Sequence, residues 1–200
     1  MPRSSPYKRP DHFTREAKKA GFPARSVFKL EEIDRRVHLL RPGLRVLDLG
    51  AAPGSWSLYA AQKIGPTGKL LAVDLSPLGT VLPANSTFLQ GDALSLEDGQ
   101  VAQFAPYDVV LSDMAPRTTG TKAVDQARSY ELFMRALAVA ASLLSPGGAF
   151  VGKIFMSEEL RTARATLKEL FAEERLVRPE GTRSISTELF VVGLGRKKPA

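Results

Sequence analysis

The chain contains no cysteine, which excludes disulfides, thiolate zinc sites and cysteine nucleophiles together. Only two histidines occur, His12 and His38, so a histidine-rich metal site is excluded as well and no metal is expected. No apolar run approaches the roughly 20 residues that span a membrane. The N-terminus has no apolar core of signal-peptide type. Its basic character resembles an organelle transit peptide only loosely, because Pro2, Pro6, Pro10 and the acids Asp11 and Glu16 interrupt it. These absences fit a reducing cytoplasm, with a monomer as the default state. Two ligand signatures are also missing. Aligned from Gly50, a G-x-G-x-x-G pattern meets Gly50, Ala52 and Ser55, and no G-x-x-x-x-G-K-[ST] loop occurs. The G-P-T-G-K at 65–69 is too short for a phosphate loop and reads as a turn.

What is present is a soluble globular composition: 200 residues, 44% hydrophobic and 24% charged, enough for one domain with a sizeable core. The net charge of +7 is concentrated at one end. Residues 1–30 hold eight basic residues against Asp11 and Glu16, whereas the other 170 are nearly balanced at twenty against nineteen. Such an arm neutralises phosphates and draws in a polyanion. A solvated tail would be the plainer reading if the arm stood alone. Ahead of a catalytic-looking domain, nucleic acid is favoured.

The chain is organised around V-L-D-L-G-A-A-P-G-S-W at 46–56. A short apolar run stops at Gly50, small residues follow, and an amphipathic segment begins near Ser55. Strand, small-residue turn and helix in that order open a nucleotide-binding α/β unit, because a ligand at a strand's carboxyl end needs backbone free of bulky side chains. The next apolar run, K-L-L-A-V-D at 69–74, ends in Asp74, where a carboxylate can hold both hydroxyls of a ribose. A turn and a ribose-binding acid without a phosphate cradle suit a nucleoside ligand, and S-adenosylmethionine is one.

Spacing predicts a helix from Pro23, with Val27, Leu30, Ile33 and Val37 on one stripe, and a helix over about 125–144. Strands are predicted at 44–50, 69–75, 86–91, 107–113 and 149–155, with a helix at 55–64 and another near 157–174. The helix due after Asp74 is poorly marked, since S-P-L-G-T-V-L-P-A-N carries two prolines and a glycine. The last part reads as two strands joined by a loop. Residues before about 22 are polar and aperiodic and are read as a flexible arm. The whole predicts a mostly parallel sheet with helices on both faces and a closing hairpin.

In such a sheet, ligands bind beyond the carboxyl ends of the strands. Asp48, Asp74, Asp92 and Asp113 lie at or near those ends. Asp48, inside its strand, is expected to support the turn, and Asp92 can accept from an exocyclic amine. Trp56 either lines the pocket or packs at a helix start. Lys153 interrupts A-F-V-G-K-I-F, a strand that should be buried on both faces. A buried lysine is costly without a partner, and near the active edge it is a candidate general base. Lys29 and Glu188 carry little weight alone.

S-V-F-K-L at 26–30, D-L-G-A-A-P-G-S-W at 48–56, D-L at 74–75, G-D at 91–92, S-D-M-A-P at 112–116, K-I-F at 153–155 and S-T-E-L-F-V-V at 186–192 form an ordered set. With that set, the chain resembles the FtsJ/RrmJ-like family of ribosomal RNA ribose 2′-O-methyltransferases from about residue 7 to 194. The resemblance implies an α/β fold of the Rossmann-like, S-adenosylmethionine-dependent kind, with a mostly parallel seven-stranded sheet containing one antiparallel strand. It implies a catalytic tetrad of Lys29, Asp113, Lys153 and Glu188. It also implies cofactor contacts at Gly50, Gly54, Trp56, Asp74, Asp92 and Asp113. Residues 1–22 become an RNA-contacting arm, 23–195 the methyltransferase domain and 196–200 a basic tail. The implied reaction is 2′-O-methylation of a ribose, that of a uridine, in large-subunit 23S ribosomal RNA late in ribosome assembly. The chain departs from the family at Ser55, where glycine is common, and at Arg117, Thr118 and Thr119. Base-nitrogen methylation is disfavoured because D-M-A-P-R lacks a stacking aromatic, and pyrimidine C5 methylation lacks its cysteine. Two readings stay open beside this one: another RNA class such as tRNA or an mRNA cap, and a non-catalytic RNA-binding assembly factor.

Overall fold

The computed structural model describes residues 12–93, 98–180, 182 and 186–198. The part of the basic arm before residue 12 lies outside them. Four strands make the centre: β1 (Arg45–Leu49), β2 (Lys69–Asp74), β4 (Tyr107–Ser112) and β5 (Leu144–Phe155). Side chains alternate across a strand. Val46, Leu70, Ala72, Val109, Leu111 and Val151 therefore share one core, while Leu47, Leu49, Leu71, Val73, Val110 and Phe150 share the other. Strands apolar on both faces must be covered on both. Helices α2 (Val27–Val37) and α3 (Ser55–Ile64) cover the first face, through Leu30, Ile33, Trp56 and Ile64. Helices α5 (Lys122–Leu143) and α6 (Leu160–Leu170) cover the second, through Phe133, Leu137 and Leu167. Burying a side chain such as Leu30 or Ile33 contributes about 1.5–3 kcal/mol each.

With β3 (Ser86–Gln90), β6 (Phe171–Val177) and β7 (Glu188–Arg196), the sheet runs β3-β2-β1-β4-β5-β7-β6. Neighbours from β3 to β5 pair in parallel, and β7 pairs antiparallel with both β5 and β6. This is the seven-stranded, mostly parallel sheet with one reversed strand that the sequence predicts. The chain steps outward from β1 to β3, then returns to β4 on the other side of β1. That reversal opens a crevice above the carboxyl ends of β1 and β4.

Three local differences have physical causes. Residues His12–Lys19 form a helix, α1, where the aperiodic sequence predicted none. Its one buried side chain is Ala17, so no apolar stripe betrays it; the Phe13–Phe28 ring contact at 5.9 Å adds to its docking on α2. No helix forms between β2 and β3, as the prolines there dictate. Helix α6 stops at Leu170 and passes directly into β6, because Phe171 is drawn under the sheet against Gly193, where an added Cβ would lie 2.7 Å from its ring. The short α4 (Asp98–Val101) completes the elements among the described residues.

Candidate active site

The turn after β1 is shaped by its small residues. Gly50 has φ +78° and its N–H donates to Val73 O at 2.9 Å, which folds the chain back over β2. A Cβ at Gly50 would stand 2.6 Å from Met114 Cγ, so only glycine lets the turn and the segment after β4 touch. Beside this turn lies a cavity of about 440 Å³, whose lining includes Gly50, Asp74, Asp92, Asp113, Met114 and Lys153. That is a volume suited to a small-molecule ligand.

Asp74 ends β2 and faces this cavity. Its Oδ2 accepts from Ala52 N and its Oδ1 from Ser76 N, both at 2.8 Å, which pins the carboxylate between two loops. Leu75, 66% exposed, adds an apolar wall next to it. Of the expected cofactor contacts, the cavity brings together Gly50, Asp74, Asp92 and Asp113. Gly54 and Trp56 stand outside its lining. Trp56 is 2% exposed, donates Nε1–H to Ser26 O at 2.8 Å and packs on Phe190 with centroids 5.5 Å apart. The ring has turned from the pocket to lock α3 onto the start of α2. Asp48 is fully buried and accepts from Ser57 Oγ at 2.5 Å, tying β1 to α3. Burial pushes its carboxyl up to about 7, with the Ser57 hydrogen bond opposing and the charges of Asp113 and Asp74 adding to the rise.

The four residues of the expected tetrad sit on two strands, a helix and the segment just after β4. Asp113 follows β4 and Lys153 lies near the end of β5, where Ser112 pairs with Gly152. That register puts the two side chains next to each other. Lys153 Nζ donates to Asp113 Oδ1 at 2.8 Å and also to Asp113 O. The lysine is 7% exposed, so its cost of burial is offset by this partner. Across the reversed pair, Lys153 matches Phe190 and Phe155 matches Glu188. Glu188 and Phe190 therefore point to the same face as Lys153. Lys29 reaches down from α2, over the Phe190 ring at 6.0 Å from its centroid, and pairs with Glu188. The result is two lysine–carboxylate pairs on one sheet face, one of them at the cavity wall.

Sequence reasoning missed the wall residues Leu75, Ser76, Met114 and Leu132, which carry no chemical signature of their own. It noted Ser55 only as a departure. Ser55 Oγ accepts from Ala24 N at 2.8 Å and donates to Ala24 O at 3.1 Å, joining the first turn of α3 to the segment before α2.

A glycine-shaped turn, a pinned carboxylate, an apolar wall and a lysine pair fit a nucleoside-bearing ligand beside a reacting hydroxyl. The comparisons with known proteins agree in kind. The family profile described as FtsJ-like methyltransferase matches residues 22–196. The chain belongs to this family. The methyltransferase is 70% identical over 193 residues to "Ribosomal RNA large subunit methyltransferase E" of Sorangium cellulosum, covering 96% of this chain and 91% of the relative. It is 51% identical to the protein of the same name from Oleidesulfovibrio alaskensis, covering 94% and 92%. A solved ribosomal RNA methyltransferase of Plasmodium falciparum superposes with a TM-score of 0.78 over 89% of this chain and all of that one, at 22% identity, a likeness of fold. Among the described residues no helix is long and apolar enough to cross a membrane.

Proposed function

We propose that the methyltransferase methylates the 2′-hydroxyl of a ribose in large-subunit ribosomal RNA, using S-adenosylmethionine. The single observation that carries this reading is the Lys153–Asp113 pair at the wall of the cavity, beside the Lys29–Glu188 pair. The names of the relatives support the RNA class. The resemblance extends the proposal to the ribose of a uridine in 23S RNA and to a late stage of assembly.

S-adenosylmethionine supplies a methyl group already activated on a sulfonium, so alignment provides much of the rate. Gly50 leaves the backbone of the turn open to the cofactor, Asp74 takes its ribose hydroxyls and Asp92 its exocyclic amine. Lys153 takes the proton of the attacking hydroxyl. As the ribose oxygen bonds to the methyl carbon, the carbon–sulfur bond breaks with its electron pair staying on sulfur, and the hydroxyl proton passes to the amine form of Nζ. Asp113 holds Nζ in place through its carboxylate. Lys29 and Glu188 hold the acceptor ribose. Residues 1–22 bring the RNA in, 23–195 perform the reaction and 196–200 add a basic tail. The protein works as a cytoplasmic monomer.

The test is transfer from methyl-labelled S-adenosylmethionine to unmodified large ribosomal subunits, with the label mapped by nuclease digestion. Label on a ribose 2′-oxygen of the large-subunit RNA is the expected result. Label only on tRNA or a cap would move the substrate, and neither transfer nor cofactor binding would leave an assembly factor. Lys153→Ala is expected to slow transfer by about 10²–10⁴-fold with cofactor affinity nearly unchanged. Retained turnover would sink the role of Lys153.

A further inference from the structure

The segment from Asp113 to Thr121 forms neither helix nor strand, although it begins with a residue of the proposed site. Its near end is fixed: Lys153 holds Asp113, and Met114 lies against Gly50. From Arg117 to Val124 every residue is exposed, and then Asp125 is 8% exposed. A carboxylate shielded at the end of such a stretch has a task there. Oδ1 of Asp125 accepts from Thr119 N at 2.7 Å and from Thr119 Oγ1 at 2.9 Å, and Oδ2 accepts from Gly120 N at 3.3 Å. Thr119 Oγ1 in turn accepts from Thr121 N at 3.2 Å, and Gly120 takes φ +83° to close the turn. These hydrogen bonds hold Asp125 below the usual carboxylate range, the Thr119 N–H first among them.

Helix capping alone does not account for this. The donors that α5 leaves unsatisfied are the N–H groups of its own first turn. Asp125 instead reaches back past Thr121 to N–H groups that lie outside the helix. Its carboxylate folds the loop. That loop and the first residue of α5 carry two exposed cations and no acid: Arg117 and Lys122. The same helix also fixes the other side of the site. Gln126 Nε2 donates to Met156 O at 2.5 Å, and Phe155 N donates to Ser129 Oγ at 2.9 Å, just beyond Lys153.

We propose that Asp125 is a positioning residue for the RNA acceptor, folding residues 117–122 into a fixed basic lip whose Arg117 and Lys122 hold a phosphodiester beside the target ribose. This rests on the RNA reading given above. The lip takes backbone phosphate, so it contributes affinity and register without reading a base.

The experiment uses the full chain, labelled S-adenosylmethionine and unmodified large subunits at several salt concentrations. Wild type is compared with Asp125→Asn, Arg117→Gln/Lys122→Gln and the triple variant. Asparagine keeps the shape but turns an amide N–H₂ towards the loop donors. The expected result is a rise of about five- to tenfold in KM for RNA in Asp125→Asn, with kcat and cofactor Kd within about twofold and a salt slope lowered by about one to two. The Arg117/Lys122 double variant should show the same lowered slope, and Asp125→Asn should add nothing on top of it. Asp125→Asn with an unchanged salt slope, or with losses only in thermal stability and kcat, would overturn the proposal and leave a purely structural carboxylate. A wild type that labels no RNA at all would take down the RNA reading itself, and this inference with it.

Discussion

Asp48 is a fully buried carboxyl group beside the candidate site. It lies on β1 with the carboxylates of Asp113 and Asp74 acting on it from the ends of β4 and β2, and Ser57 of α3 is its hydrogen-bond partner. Its Oδ1 has no partner among the described residues. The folded carboxyl titrates near 7 and the unfolded one near 3.8, so between those values the folded state holds a proton that the unfolded state has lost. Stability therefore falls as pH rises through this window, by up to roughly a few kcal/mol. Denaturant titrations at pH 5 and pH 8 should show that loss in wild type. Asp48→Asn, which carries no charge, should lack this component and be the more stable protein at pH 8. An equal slope in both would mean the charge is relieved by other means.

At the scale of elements, α3 is joined to α2 and to the segment before it by polar bonds within an apolar layer. Tyr59 OH donates to Asp34 Oδ2 at 2.9 Å, Ser55 grips Ala24, and Trp56 caps Ser26 O. Trp56→Phe should leave that carbonyl unsatisfied and cost about 1–3 kcal/mol of stability. Cofactor affinity, measured by equilibrium binding, should change less than about twofold, since the ring faces Phe190 and not the cavity. A large loss of affinity would put the indole back in the pocket. The same element shows what the sequence could reveal. The stripe of Val27, Leu30 and Ile33 announces α2, and the doubly apolar runs announce β1, β2 and β4, because period and burial are local properties. Lys153 stands out as a charge in a buried strand. Its bond to Asp113, forty residues away, is set by the β4–β5 register, which no local pattern reports. Trp56 begins a helix in either reading, and only its partner thirty residues upstream decides which way it points. Helix α1 buries a single alanine and thus leaves no period to read. Asp125 is an acid at the start of a helix until its hydrogen bonds to the preceding loop are seen.

The whole molecule is a nearly neutral body with its positive charge gathered in residues 1–30. Residues 1–11 contribute Arg3, Lys8 and Arg9 against Asp11. Removing them should lower the salt slope of RNA methylation by about two to three and leave cofactor affinity and thermal stability unchanged. Removing residues 1–20 should in addition destabilise the fold, since Ala17 and the Phe13–Phe28 contact go with them. If the shorter deletion left the salt slope intact, the arm would be a spectator. The topology also sets a timetable. Lys29 comes from the first helix packed on the sheet centre, and its counter-charge Glu188 from β7, the last strand in chain order, which wedges between β5 and β6. A nascent chain emerging residue by residue has the cofactor-side turn long before it has the second lysine–carboxylate pair. Until β7 arrives, β5 has an open flank and Lys29 faces no acid. The second lysine–carboxylate pair therefore closes only with β7, after every other residue of the proposed site is already in the chain.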